Sequence, residues 1–150
     1  MSVPVSGRIL ALDVGRRRIG LAVSDALGIT AQGLPTYERG NIRQDLIYFG
    51  TLCRERGIGS LLIGLPLHMR SGDESRQAEY VRDFAAKLKL ETGLPIVFWD
   101  ERLTTVAAER VLRESGIGLE KRKRAVDRLA AVILLESYLG ALATRAAEEP

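Results

Sequence analysis

Aromatic residues make up only 5% of the 150 residues, which argues against a surface built from base-stacking platforms of the kind single-strand binders use. There is one cysteine, Cys53, so an internal disulfide and a cysteine-rich zinc site are both excluded. No basic-then-apolar leader opens the sequence, and no secretory signal is expected. The longest purely apolar run, Leu129 to Leu135, is far too short to span a bilayer, so a cytoplasmic protein without a membrane partner is the default expectation. Internal repeats, low-complexity blocks and linkers are absent as well. What remains is ordinary for a globular chain: 46% apolar, 27% charged and a net charge of +3, which permits a polyanionic partner without demanding one. The length fits a single domain, residues 1–150, large enough to bury a core.

Apolar periodicity gives the layout. Residues 8–14 and 19–24 read as strands that are apolar on both faces and therefore central in a sheet, with Gly15 to Arg18 as the reversal between them. A third strand over 29–37 is demoted to an edge by Pro35. Helical spacing of Ile42, Leu46, Phe49 and Cys53 predicts a helix over 41–56, with Gly57 at the left-handed position beyond it. Leu61 to Leu65 is a buried strand ended by Pro66. A polar loop, His68 to Asp73, leads to a helix whose inward face is Ala78, Val81, Ala85 and Leu88, with Ser71, Asp73 or Ser75 able to cap it. Pro95 to Trp99 is a further strand. Thr104 or Thr105 then caps a helix running to Ser115. A basic connector over 116–124 precedes a final helix over 125–145.

This order predicts an α/β fold. Strands 1 to 3 form an antiparallel meander, and strands 1, 4 and 5 run parallel because each later one is entered through a helical crossover. In such sheets ligands gather at the carboxyl ends of the parallel strands. Asp13 stands at one such end, inside Ile9-Leu-Ala-Leu-Asp-Val-Gly-Arg-Arg-Arg-Ile-Gly-Leu-Ala-Val-Ser-Asp25, and Asp100-Glu101 at another. A carboxylate in an apolar run is costly to bury without a partner or a cation. Asp127, near the apolar stripe of Val126, Ala130, Ile133 and Leu134 on the last helix, supplies a third acid. Together Asp13, Glu101 and Asp127 form an oxygen-rich set suited to one or two Mg²⁺ or Mn²⁺ ions, and a pair of ions about 4 Å apart clamps both oxygens of a phosphodiester displacement.

Four segments, Asp13-Val-Gly-Arg-Arg-Arg-Ile-Gly-Leu-Ala-Val-Ser-Asp25, Gly64-Leu-Pro-Leu-His-Met69, Asp100-Glu-Arg-Leu-Thr-Thr105 and Asp127-Arg-Leu-Ala-Ala-Val-Ile-Leu-Leu135, closely resemble the RuvX/YqgF family. The resemblance implies an RNase H-like fold, with a five-stranded mixed sheet flanked by helices and kinship to Holliday junction resolvases. It implies a metal-dependent nuclease that matures the 5′ end of pre-16S rRNA during ribosome biogenesis, with Asp13, Glu101 and Asp127 as catalytic and metal-binding acids. The implied partners are an rRNA precursor and ribosomal particles, met by a monomer or a homodimer; the alternative reading within the same class is a resolvase that cuts four-way-junction DNA, and nothing in the sequence discriminates ribose from deoxyribose. After Gly64-Leu-Pro66 the chain departs from the family pattern, carrying His68 and Arg70 where an Asn and an Asp are usual.

Other basic residues are candidates for phosphate contact: Arg16, Arg17 and Arg18 beside Asp13, His68 and Arg70 in the loop, Arg102 beside Glu101, and Lys121, Arg122, Lys123 and Arg124 ahead of Asp127. Each has a plainer reading. The charge runs serve equally as solvated turns, and Asp13 serves as the start of an Asx-type turn into Gly15. Asp127 fits the favourable field at a helix N-terminus, Cys53 is a core residue, and Trp99 is a packing residue. Two other functional classes use related features. Actin-like ATPases also place an Asp-x-Gly on a strand hairpin, but they need two domains. A ribosome-assembly RNA-binding factor would keep the fold without turnover.

Overall fold

In a computed structural model the chain forms five strands and, among the described residues, three helices. The structure describes residues 7–66, 72–100 and 119–148, and the side chains of these except 72–75, 119–128 and 148. In order the elements are β1 (Arg8–Val14), β2 (Arg18–Ser24), β3 (Ala31–Glu38), α1 (Ile42–Arg56), β4 (Ile58–Leu65), α2 (Gly72–Thr92), β5 (Ile96–Asp100) and α3 (Leu119–Glu148). The sheet order is β3-β2-β1-β4-β5. β1 pairs antiparallel with β2 and parallel with β4, and β4 pairs parallel with β5. The expected mixed sheet is therefore present, with β1 at its centre and Pro35 on an edge strand.

Both faces of the sheet are covered, which is why β1, β2 and β4 are near-continuous apolar runs. Alternation along β1 sends Leu10, Leu12 and Val14 into a core shared with Phe49 of α1 and Val81, Phe84 and Leu88 of α2. Ile9 and Ala11 enter a second core with Ala131, Leu134, Leu135 and Leu139 of α3. The capping of α1 is encoded locally. The Asn41 side chain accepts from the Gln44 amide at 2.8 Å, and the Gln44 side chain accepts from the Asn41 amide at 3.0 Å, so two helix-end donors are satisfied reciprocally. At the other end Gly57 takes φ 63°, a left-handed conformation that costs glycine little.

Several boundaries differ from the sequence reading. β4 starts at Ile58, because Gly57 turns the chain straight from the helix into the strand. β3 starts at Ala31, since the Ile29 and Thr30 amides instead donate to the Asp25 carboxylate at 2.7 and 3.0 Å and close the β2–β3 turn. Ile42 is 40% exposed, so the inward stripe of α1 begins one turn later than its spacing suggests. α2 begins at Gly72, which places positions 73 and 75 inside the helix rather than ahead of it. α3 begins at Leu119, so the basic run 121–124 belongs to its first turns and is not a connector. The helix expected from Thr104 to Ser115 lies outside the described residues. Within α3, Leu129–Ala147 is apolar enough by length and composition to cross a membrane, at 19 residues and a mean hydropathy of 1.4. Its apolarity has a local use: Ala130, Ala131, Leu134, Leu135 and Leu139 are buried against the sheet.

Candidate active site

Asp13 is the penultimate residue of the central strand, half-buried, at the carboxyl end that β1 shares with β4 and β5. Strand alternation puts it on the same face as Ala11, which is the α3 face. Its antiparallel partner is Gly20. On the other side the register Leu12↔Ile63 carries forward by one residue to Gly64, which pairs in turn with Trp99. The row across the sheet thus reads Gly20, Asp13, Gly64, Trp99, and no side chain occupies either position flanking the carboxylate in that row.

Of the adjacent acids that end β5, Asp100 pairs with Leu65. Leu65 belongs to the core under α1 and α2, so by register Asp100 stands on the face opposite Asp13. Glu101 lies outside the described residues, as do His68, Arg70 and Arg102. The backbone at position 127 is in α3, three, four and seven residues before the buried Ala130, Ala131 and Leu134, a spacing that shares one helix face. The side chains of Asp127 and of Lys121, Arg122, Lys123 and Arg124 are outside the description. Among the described residues no group of three or more His, Cys, Asp or Glu side chains is placed to hold a metal.

The arginine run divides. Arg16 lays its guanidinium over the Tyr80 ring of α2, 4.5 Å from the centroid, a cation–π contact on the side of the sheet away from Asp13. Arg18 alternates with the core residue Ile19 and is exposed at the start of β2, which puts it on the same face as Asp13. Trp99 is a packing residue: its indole N–H donates to Ser137 Oγ at 3.1 Å, and its ring meets Tyr138 edge-on at 5.1 Å.

A profile of the family described as "RuvX: Holliday junction resolvase" matches residues 7–141. The chain belongs to the RuvX family. A relative from Koribacter versatilis (strain Ellin345), named "Putative pre-16S rRNA nuclease", is 54% identical over 135 residues, covering 90% of this chain and 88% of its own. A relative of the same name from Moorella thermoacetica (strain ATCC 39073 / JCM 9320) is 49% identical, covering 90% and 96%. Among solved structures, T. thermophilus RuvC in complex with a Holliday junction substrate superposes with a TM-score of 0.57 at 14% identity, covering 89% of this chain and 96% of that one. At that identity the likeness speaks to fold, and it agrees with the RNase H-like architecture.

The sequence reading missed a polar network beside this RuvX-family site. Arg39 and Asp45, with side chains 9% and 0% exposed, form an ion pair at 3.0 Å. Asp45 Oδ1 also accepts from the Tyr37 hydroxyl at 2.8 Å and the Gly40 amide at 2.9 Å. Burial and this bond to a carboxylate push the Tyr37 phenol up to about 12. A signal was present. Asp45 lies four residues before Phe49, on the row that α1 buries, and an acid on a buried row calls for a cationic partner.

Proposed function

We propose that this chain is a metal-dependent nuclease that hydrolyses phosphodiester bonds in structured RNA, with precursor 16S rRNA as its substrate and the 5′ end of the mature rRNA as its product, acting in the cytoplasm on ribosomal particles. The observation that carries the reading is Asp13: a half-buried carboxylate at the carboxyl end of the central parallel strand, flanked in its row by Gly20 and Gly64. An oxygen donor whose neighbours on both adjacent strands are glycines suits a hard, partly hydrated cation. Asp13, Glu101 and Asp127 are the residues to hold Mg²⁺ or Mn²⁺. Support for Glu101 is that it follows Asp100 directly at the end of β5, and for Asp127 that position 127 lies on the helix row facing the sheet. When bound, such ions lower the pKa of the attacking water and neutralise charge on the departing oxygen. Arg18, exposed on the face of Asp13, is placed where a phosphate approaching the carboxylate would pass.

Asp13→Asn tests this directly. The variant is expected to fold normally and to bind RNA as the parent does, while cleavage of precursor 16S rRNA with Mn²⁺ or Mg²⁺ falls at least about 100-fold, since even indirect partners of a metal cost about 10–100-fold. Undiminished cleavage refutes the assignment. Four-way-junction DNA run beside the RNA decides the polymer: preferential cutting of the junction makes the chain a resolvase, and tight RNA binding without any cutting makes it an assembly factor. A milder change, Arg18→Gln, is expected to weaken binding evenly across sequences and to reduce the salt slope of log K by about one.

A further inference from the structure

At the carboxyl end of β1 the chain must turn within three residues, Gly15, Arg16 and Arg17, before β2 begins. Across the neck of that turn the Gly15 amide donates to the Arg18 carbonyl at 2.9 Å. Further restraints come from Arg39, which follows β3. Its backbone N–H donates to the Arg17 carbonyl at 2.9 Å. Its Nη1 donates to the Gly15 carbonyl at 3.0 Å and also to the Tyr80 hydroxyl, while its Nε donates to Asp45. The guanidinium lies over Phe84, its central carbon 4.7 Å from the ring centroid, and Tyr80 in turn receives Arg16. One buried side chain thereby joins the β1–β2 turn, α1 and α2 at the sheet end where Asp13 stands.

We propose that Arg39, oriented by Asp45, is the positioning residue of this site: its bond to the Gly15 carbonyl fixes the turn that joins the strand ends bearing Asp13 and Arg18, and through that turn it sets the rate of cleavage. A buried pair is a poor way to gain stability, since well-packed apolar residues do as well. A planar fork that serves an acid and a carbonyl at once is a good way to fix one geometry. The inference rests on Asp13 as the centre of the chemistry, but its first readout does not.

The test uses Arg39→Lys, which keeps the charge for Asp45 but lacks the fork needed to reach Gly15 as well. Alongside it goes the double variant Arg39→Met with Asp45→Leu, which leaves no unpaired buried charge should the lysine variant fail to fold. Amide hydrogen exchange is measured at Gly15 and at residue 39, with the amides of β4 as the internal reference, and kcat and KM are measured on precursor 16S rRNA. Expected are exchange at least tenfold faster at the two turn amides, β4 amides within twofold of the parent, and kcat at least tenfold lower with KM within twofold. Exchange that rises equally everywhere marks Arg39 as an ordinary stabilising residue and overturns the proposal, as does a loosened turn with unchanged kcat. A parent that cuts no RNA sinks the nuclease reading instead, and the exchange data then still decide whether Arg39 holds the turn.

Discussion

On one side of the sheet Leu10, Leu12, Val14, Ile19 and Ile63 meet Phe49, Val81, Phe84 and Leu88 from two helices. On the other, Ile9, Ala11, Ala22 and Leu62 meet Ala131, Leu134, Leu135 and Leu139 from one. The first face uses bulky side chains and adds an aromatic cluster, with Phe49 edge-on to Tyr37 and Tyr48 at 5.2 Å each and to Phe84 at 6.1 Å. The second mixes leucines and an isoleucine with alanines, and towards the carboxyl end its row thins to Gly20, Asp13 and Gly64. Large buried side chains make many dispersion contacts and tolerate no voids. A face that must admit a cation, water and a phosphate group needs the opposite. The two sides thus divide the work: the α1/α2 side supplies rigidity, and the α3 side supplies room.

Paired truncations break or sharpen that division. Phe49→Ala is expected to cost about 4–5 kcal/mol in urea unfolding, the upper end for a large-to-small core change, because its cavity opens among three rings that cannot all collapse inward. Leu134→Ala on the α3 side is expected nearer 2–3 kcal/mol, since its cluster is packed by a single helix that can settle towards the sheet. An equal or larger loss for Leu134→Ala removes the asymmetry. Gly15→Ala comes next. A Cβ there would sit 2.6 Å from the Arg18 carbonyl oxygen, a backbone atom, so the turn must shift at a cost of about 1–3 kcal/mol. Cleavage, assayed where the variant is still fully folded, is expected to fall by more than the loss in stability accounts for. A purely thermal defect with normal cleavage would separate the turn from the chemistry.

Much of this architecture was legible in the sequence because each core strand answers to two covered faces. Leu10 to Leu12 and Leu61 to Ile63 cannot be amphipathic when helices lie on both sides, and their continuous apolarity marks them as central. Gly57 and Asn41 carry their conformations locally, so the bounds of α1 were nearly right. What misled was polarity without context. Lys121 to Arg124 read as a connector because four cations dominate the composition, yet backbone hydrogen bonding in a helix is indifferent to exposed charge, and α3 starts before them. Of the site, Asp13 and its strand end were evident from one acid in an apolar run. The split between Arg16 and Arg18 was not, because strand register decides which face each side chain takes. Asp45 could have been found from its place on the buried row of α1, but which cation answers it, Arg39, is settled only by the fold.

The smallest expected effect probes the rigid side through its one strongly shifted phenol. Tyr37 stacks on Tyr48 at 4.2 Å and donates to Asp45, and both burial and that bond favour its protonated form. Its folded value of about 12 lies above the ordinary 10.0. Between these two values the unfolded chain has already lost the phenolic proton while the folded chain keeps it, so stability falls as pH rises. The contribution is therefore complete below about pH 10 and disappears as pH climbs through about 12. Tyr37→Phe is expected to cost about 1.5 kcal/mol at pH 7, the low end for a hydrogen bond to a charged acceptor, since Asp45 keeps its other partners. Because the remaining tyrosines, lysines and arginines titrate in both proteins, the informative quantity is the difference between parent and variant in urea midpoint, followed from pH 8 upward. That difference is expected to shrink above about pH 10. A gap that stays constant would mean that the Tyr37 hydroxyl does not hold its proton for Asp45, and the network around Arg39 would then be looser than its distances imply.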